Sequence, residues 1–343
     1  MPTPEAEQRT RVRRWIPAAV GVLVSVALLL WALRGLSLAD VLRHVQAART
    51  APLAAAVLLA TLTFPVRWIR WRVLLADSVR SPDSSSALWH AVAIGFTANN
   101  VLPLRAGELI RSYTAARLGG IRFTTVLSSI AVERIFDGLT VVALLTAALL
   151  RSDLPRSVTI GGVSVAHVAQ AGALISGTAI VVALLILTAP LQAERLIRRL
   201  LPSGQVADKL VSLVEGIRQG LVVLRAPGRL IWVVIWSLVL WMGNALAFYV
   251  GFGAFDIPVS YLGALLMQGL LVLGISIPST PGFFGPFEAV IVAVLALYGV
   301  PNDVAFSYAI AYHITSFIPI TLLGLWSLTR IPGGFRTLRQ MPS

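Results

Sequence analysis

The sequence predicts an all-α polytopic integral membrane protein, and three observations support this fold class. Hydrophobic residues make up 57% of the 343 residues. Charged residues make up only 13%, whereas soluble domains carry roughly 25%. Long apolar runs recur along the chain, and a membrane-spanning helix needs about 20 mainly apolar residues. The chain therefore accommodates about eight transmembrane helices, with one or two re-entrant or broken segments.

The apolar runs give the order of the predicted elements. Residues 1–14 form a basic N-terminal tail, 15–328 a transmembrane domain and 329–343 a C-terminal tail. The first run reaches Arg34 without a small-residue cleavage site, which favours a retained span over a signal peptide. The predicted spans are 15–33, 52–66 extending into 68–76, 124–150, 167–189, 229–250, 259–277, 286–299 and 306–328.

The shorter apolar run 88–104 decides the predicted topology. If it enters the membrane and returns, the arginine-rich segments all fall on one side, namely the N-terminal tail, 67–86, 190–229 and the C-terminal tail. Basic segments prefer the cytoplasmic side, so we expect a re-entrant segment in the inner (plasma) membrane and both termini in the cytoplasm. The net charge of +13 then reflects this rule and attraction to anionic lipid, and we expect no nucleic-acid partner.

The end of this run and the residues after it contain two predicted helix breaks, Pro103 and Gly107. They also contain five polar candidates for ligand binding: Asn99, Asn100, Arg105, Glu108 and Arg111. Arg105, Glu108 and Arg111 lie three residues apart and would share one helical face. Broken backbone at membrane depth is tolerated only where it is buried in protein or lines a watery cavity. The alternative is a cytoplasmic loop with ordinary surface charges.

Glu133, Arg134 and Asp137 interrupt a second apolar run, 126–150. Glu133 and Asp137 are four residues apart and face the same way on a helix. Each charge near the bilayer centre costs about 2.5–3.5 kcal/mol, so these side chains need partners. Arg105 and Arg111 are the expected counter-charges. The cluster is interpreted as a site for a substrate; the alternative is an ion-pair cluster that only holds helices together.

The third interruption contains Pro278, Pro281, Gly282 and Gly285, followed by Glu288. So many prolines and glycines exclude a regular helix, and a carboxylate is favoured where the next helix begins. The pattern predicts either a broken helix with a polar ligand site or a tight interhelical loop. Single polar residues elsewhere in the apolar runs, including His313, are expected to form interhelical hydrogen bonds.

Several classes of site are excluded or unsupported. The chain has no cysteine, which excludes disulfides and thiolate metal sites. Its four histidines lack metal-ligand spacing, and no nucleotide-binding loop is present. We therefore predict no catalytic residues, metal or cofactor, and no enzymatic activity.

In their order and spacing, the three motifs resemble the transmembrane region of lysylphosphatidylglycerol synthases, a flippase-like domain family. The resemblance covers nearly the whole chain and implies a helical membrane domain that binds lipids and, by expectation, translocates them. In the full synthases a soluble aminoacyl-transfer domain follows. This chain ends about fifteen residues after its last predicted span, so aminoacylation of phosphatidylglycerol is not expected. Stand-alone members are associated with phospholipid, hopanoid or polyprenyl-linked glycan pathways.

The leading functional hypothesis is a translocase for membrane lipids with an anionic headgroup or a lipid phosphate. Arg105 and Arg111 would hold the phosphate, because arginine recognises it in bidentate fashion. The carboxylates would orient these arginines or carry protons. One alternative is a non-transporting subunit that scaffolds a lipid-modifying or glycan-assembly complex, as a homo-oligomer or with a partner enzyme. A less favoured one is an intramembrane enzyme acting on a lipid-linked substrate.

Overall fold

The computed structural model describes residues 20–79, 81–102, 106–151, 227–275 and 280–331, with isolated positions between 159 and 199. The described helices are α1 (Val20–Ala32), α2 (Leu38–Ala47), α3 (Thr50–Leu74), α4 (Pro82–Val101), α5 (Gly107–Gly119), α6 (Phe123–Leu150), α7 (Pro227–Phe252), α8 (Tyr261–Gly274), α9 (Pro286–Leu297) and α10 (Asn302–Arg330). A 3₁₀ turn covers Pro281–Phe283, and two short strands, β1 (Thr159–Ile160) and β2 (Val163–Ser164), pair antiparallel. The predicted helical membrane fold is confirmed.

The helices carry the apolar surface expected of a membrane protein. Among the described helices, α3, α7 and α10 are long and apolar enough to span a membrane. Helix α6 has 28 residues but contains the three predicted charges. Large side chains such as Leu23, Ile231 and Leu322 are more than half exposed, and an apolar surface of this kind requires a lipid environment. The predicted span 167–189 and most of both tails lie outside the described residues.

The chain divides into two compact units. The first unit contains the described residues of Met1–Thr61, Ala93–Ile110 and Asn244–Arg330. In it α9 packs against α8 and α10, and α10 packs against α2. The Tyr308 hydroxyl donates to the Phe248 carbonyl (3.1 Å), which satisfies a buried polar group.

The second unit contains the described residues of Leu62–Val92, Arg111–Gly243 and Ile331–Ser343. Its core includes Trp71 and Arg70, both fully buried on α3. The Trp71 indole donates to Ser129 of α6 (2.9 Å). Since indole N–H groups need a partner when buried, this bond fixes the orientation of the ring.

Helices α4 and α5 form a helical hairpin where the re-entrant segment was predicted. Near the tip, the Gly107 N–H donates to Asn99 Oδ1 (2.9 Å). Near the open end, the Ser84 hydroxyl donates to the Gly119 carbonyl (3.2 Å). Helix α5 therefore runs back along α4. The predicted return within 88–104 is wrong, because α4 is continuous over Pro82–Val101 and the chain turns back only after it. Helix α4 begins earlier than the run 88–104, because Ser81 caps its first turn by accepting the Ser84 N–H (3.1 Å).

The interpretation of Arg67 and Arg70 as charges of a cytoplasmic loop is wrong. Both lie inside α3, which continues to Leu74, and they are 9% and 0% exposed. A buried arginine is tolerated where carboxylates compensate it, and the contacts of Arg70 described below meet this condition. These two residues cannot count toward the charge of segment 67–86, so the predicted orientation rests on the remaining basic segments.

Candidate functional site

Helix α6 places Glu133, Arg134 and Asp137 within little more than one turn. The Glu133 side chain is fully buried, that of Asp137 is 6% exposed and that of Arg134 is 43% exposed. Two carboxylates so deeply buried need compensating charges nearby. The second unit supplies them from α3 and α5.

Three arginines contact Glu133. Arg111 makes a bidentate pair, with Nη1 at 3.1 Å from Oε1 and Nη2 at 2.8 Å from Oε2. Arg70 Nη2 and Arg134 Nη2 each lie 3.1 Å from Oε1. The expected pairing of Arg111 with Glu133 is therefore present. Arg105 lies outside the described residues, and its pairing stays a prediction.

Asp137 is contacted by two arginines and an indole. Arg70 Nη1 donates to Asp137 Oδ1 (2.5 Å) and also to Ser237 (3.0 Å). The Trp241 indole donates to the same carboxylate oxygen (2.9 Å). Arg134 Nη2 lies 3.1 Å from Oδ2. Arg70 thus joins both carboxylates from the neighbouring helix.

Aromatic rings contact the arginines as well. The Arg111 guanidinium carbon lies 3.8 Å from the Trp71 ring centroid. The corresponding carbon of Arg67 lies 5.9 Å from the Trp241 ring. A cation over an indole face is stabilised by the ring quadrupole, by about 2 kcal/mol or more where water is excluded. The rings thus hold the guanidinium groups in place without neutralising them.

These contacts define the charge cluster, which consists of Arg67, Arg70, Arg111, Glu133, Arg134 and Asp137. Four arginines face two carboxylates, so the charge cluster has a formal net charge of +2. Among the described residues, Arg70 Nε and Arg111 Nε are buried and make no hydrogen bond. The Arg134 side chain is exposed, unlike the buried side chains around it. The arrangement is able to attract a small anion such as a phosphate.

Sequence reasoning missed Arg67 and Arg70, together with Ser237 and Trp241. A signal for the two arginines was present, because the apolar and aromatic run from 52 continues past them to 76. An arginine inside an unbroken spanning run is buried or functional more often than a loop charge is. For Ser237 and Trp241, which lie in an ordinary apolar run, no comparable signal exists.

The first motif contributes the hairpin of α4 and α5 in the first unit. Asn99 accepts the Gly107 N–H, as described, and Asn100 Nδ2 donates to Thr321 Oγ1 of α10 (3.0 Å). Glu108 is half-buried in the first turn of α5. The Asn99 contact holds the hairpin together and the Asn100 contact joins it to α10, and a role of the three residues in binding a substrate stays a prediction. Pro103 lies outside the described residues.

The third motif departs from helical geometry. Gly282 and Gly285 have φ values of 72° and 97°, and Phe283 has 63°. Left-handed backbone at a bulky residue is strained and persists only where neighbours hold it. The Thr280 N–H donates to Ser25 Oγ of α1 (2.9 Å), which fixes the start of the segment. Pro281 begins the 3₁₀ turn, and Pro278 lies outside the described residues.

Glu288 follows this turn and is fully buried in the first unit. Its Oε2 accepts the Gly285 N–H (2.7 Å), and its Oε1 lies 2.6 Å from His313 Nδ1. The imidazole stacks on Phe284 and Phe287, with ring centroids 4.4 and 4.0 Å apart. His313 thus makes an interhelical contact, as expected, and its partner is a predicted site residue.

No group of histidine and acidic side chains in the described part of the chain has an arrangement that could hold a metal ion. Arginines surround Glu133 and Asp137, and a single histidine contacts Glu288.

Comparison with known proteins identifies the family. The family model described as "Lysylphosphatidylglycerol synthase TM region" matches residues 18–324. A "UPF0104 membrane protein" of Methanothermobacter thermautotrophicus is 27% identical over 333 residues, which cover 91% of this chain and 92% of that protein. "Glycosyltransferase AglD" of Haloferax volcanii is 28% identical over 224 residues, 61% of this chain but only 36% of that protein. The match of the family model across residues 18–324 shows that this multi-pass membrane protein belongs to the family of lysylphosphatidylglycerol synthase transmembrane regions.

Proposed function

We propose that this protein binds the anionic headgroup or phosphate of a membrane lipid and translocates the lipid between leaflets. The observation that carries the proposal is the formal charge of +2 on the charge cluster. Retaining surplus positive charge inside a membrane protein is costly, and binding of an anion offsets that cost. Arginine suits this role, because its planar fork donates two hydrogen bonds to one phosphate.

The exposure of the arginines suggests how a headgroup would enter. Arg134 is 43% exposed, whereas the side chains of Arg70 and Arg111 are 0% and 3% exposed. We infer that Arg134 makes the first contact and that the buried arginines supply the field. The predicted ligands Glu133 and Asp137 then act by orienting arginines, whereas Asn99, Asn100, Arg105, Glu108 and Glu288 are proposed to contribute to the transport path.

The location follows from the same reasoning. We place the protein in the inner (plasma) membrane with both termini in the cytoplasm, as the remaining arginine-rich segments favour. One relative is named as a glycosyltransferase, so polyprenyl-linked sugars belong among the lipids to be tested beside phospholipids and hopanoids. Because the sequence contains no nucleotide-binding loop, transport would be downhill, ion-coupled or driven by a partner.

A second candidate is a subunit that scaffolds a lipid-modifying or glycan-assembly complex without transport. The several ion pairs that Glu133 and Asp137 form with arginines favour this second candidate, since such a cluster also holds helices together. The two candidates differ in what a substitution at the exposed arginine does. A scaffold loses assembly, whereas a translocase loses lipid exchange and keeps its abundance.

The test is leaflet exchange of fluorescent lipids in proteoliposomes that contain the full chain. We compare wild type with Arg134→Gln, which removes one charge while Arg70 and Arg111 still pair with the carboxylates. The matched control is Arg117→Gln on α5, where the arginine is exposed and contacts the Tyr113 hydroxyl (3.3 Å). We expect exchange of an anionic lipid by wild type and Arg117→Gln, and the protein-free rate for Arg134→Gln.

Folding of each variant is checked by its thermal midpoint in detergent. Equal exchange by Arg134→Gln and wild type would exclude the charge cluster as the headgroup site. Absence of exchange by wild type with phospholipid, hopanoid and polyprenyl-linked probes, with and without an ion gradient, would favour the scaffold.

A further inference from the structure

The pair of Glu288 and His313 has a chemistry that the charge cluster lacks. Both residues lie in apolar helices, α9 and α10, and their side chains are 0% and 7% exposed. Oε1 and Nδ1 are 2.6 Å apart, so one proton lies between them or next to them. Histidine is the side chain that ordinarily changes charge between about pH 5 and 8. Ionisable pairs within membrane segments are typical of proton pathways.

The same carboxylate supports a strained turn. Glu288 Oε2 accepts the Gly285 N–H (2.7 Å), immediately after Phe283 and its positive φ of 63°. The Thr280 N–H donates to Ser25 of α1 (2.9 Å). A charged acceptor makes a stronger hydrogen bond than a neutral one. A positive charge on His313 offsets the charge of Glu288 and therefore weakens the support of the segment 280–285, which α1 contacts.

Other titratable groups on the neighbouring elements of the first unit do not duplicate this pair. Those described in the first unit on α2, α5, α7, α8 and α10 are Asp40, Arg43, His44, Glu108, Tyr249, Tyr261, Asp303, Tyr308, Tyr312 and Arg330. Tyrosine and arginine change charge only near pH 10 or above. Asp40 pairs with Arg43 (2.9 Å), and His44 pairs with Asp303 (3.0 Å) with both side chains 36% exposed. His44 and Asp303 thus form a second histidine–carboxylate pair, and this pair is more exposed than that of His313 and Glu288.

We propose that Glu288 and His313 form a proton-binding site that couples proton uptake to the conformation of the segment 280–285 and, through it, to lipid movement. One proton enters the pair from solution and returns to solution in the reverse step. When it lies on His313, the imidazolium neutralises Glu288, the Gly285 N–H donates to a weaker acceptor and the strained turn relaxes. This inference rests on the proposed function, for which it supplies an energy source.

The first test is hydrogen–deuterium exchange of the full chain in detergent, followed in a peptide that covers 280–288. After correction for intrinsic rates, we expect wild type to exchange roughly tenfold faster at about pH 6 than at about pH 8, since an imidazolium beside Glu288 weakens the hydrogen bond from Gly285. Glu288→Gln keeps an amide oxygen for Gly285 but has no carboxylate charge for the imidazolium to neutralise, so its exchange should be the same at both pH values. The matched control His44→Asn should behave as wild type.

The second test is lipid exchange in proteoliposomes with an imposed pH gradient. Wild type and His44→Asn should respond to the gradient, whereas Glu288→Gln and His313→Asn should not. A wild-type segment without pH dependence, or a gradient response that survives in Glu288→Gln, would overturn the inference while leaving lipid exchange intact. If no form exchanges lipid but the segment titrates as expected, the proposed function fails and proton binding by the pair stands.

Discussion

The two buried carboxylate sites of this protein are compensated by different kinds of partner. In the second unit, Glu133 and Asp137 are contacted by arginines at 2.5–3.1 Å. In the first unit, Glu288 is contacted by one backbone N–H and one imidazole, at 2.7 and 2.6 Å. Both solutions reduce the cost of a carboxylate within the membrane, one with several arginines and the other with a single histidine.

Under the proposed function, the difference separates two tasks, headgroup binding and proton binding. Arginine keeps its charge at any physiological pH, so the charge cluster provides a constant positive field for an anion. The Glu288–His313 pair contains no arginine, and we propose it as the proton-binding site. The two proposals thus place headgroup binding and proton binding on different helices.

The largest expected effect is that of Glu133→Ala. It removes the bidentate partner of the buried Arg111, while Arg70 and Arg134 keep only Asp137, and breaking a buried ion pair costs about 3–5 kcal/mol. We expect a large decrease in thermal midpoint in detergent and in abundance in the membrane. Asp83→Ala, at an exposed carboxylate in the first turn of α4, is the control and should change neither. A Glu133→Ala variant as stable as the control would mean that the charge cluster contributes little to folding.

In the first unit, Gly285→Ala tests whether the strained turn is as essential as the charge cluster. The glycine has φ of 97°, and a Cβ there would overlap the Ser25 backbone. Backbone strain and overpacking together predict a loss of roughly 2–4 kcal/mol. The control is Gly299→Ala, where φ is 73° but the Cβ would meet nothing within 4 Å; it should lose about 1 kcal/mol from strain alone. Equal losses, measured by thermal unfolding, would show that contact with α1 is unimportant.

A smaller effect is expected for Arg111→Lys. Lysine keeps the charge but loses the bidentate contact with Glu133 and the stacking on Trp71. We expect destabilisation of about 1–2 kcal/mol and slower exchange of anionic lipid. Arg117→Lys on the same helix should match wild type in both measurements. If Arg111→Lys also matches wild type, the positive charge of Arg111 is sufficient, and its bidentate contact and ring stacking contribute little.

The smallest effect is expected for Asp77 and Arg229, a pair at the surface of the second unit. Its loss shows how much a surface ion pair contributes to stability. Hydrogen bonds from Arg229 at 2.6 and 2.7 Å lower the pKa of Asp77 from its ordinary value of 3.8. A lowered carboxyl pKa stabilises the fold above the unfolded pKa, and the contribution is lost as pH falls through the folded value. Asp77→Asn should therefore reduce the thermal midpoint slightly at neutral pH and not at all well below pH 3.8. A constant difference across this range would exclude an ionic origin.

The sequence was sufficient to predict the helical fold, because apolar runs long enough to span a membrane need no tertiary information. The charges on α6 and their pairing with Arg111 were also predictable, since a buried charge requires a partner. Arg70 was missed because an arginine near the end of an apolar run is compatible with a position in the helix or in the following loop. The contact between Glu288 and His313 joins residues 25 positions apart, and only the packing of α9 on α10 defines it.

Whether the charge cluster binds an anionic headgroup is best tested by measuring lipid binding itself. Native mass spectrometry of the full chain, titrated with phosphatidylglycerol or phosphatidylcholine, would count bound lipids for wild type, Arg134→Gln and Arg117→Gln. We expect wild type and Arg117→Gln to retain phosphatidylglycerol in preference to phosphatidylcholine, and Arg134→Gln to lose this preference. An unchanged preference in a folded Arg134→Gln variant would contradict the assignment of the headgroup to the charge cluster.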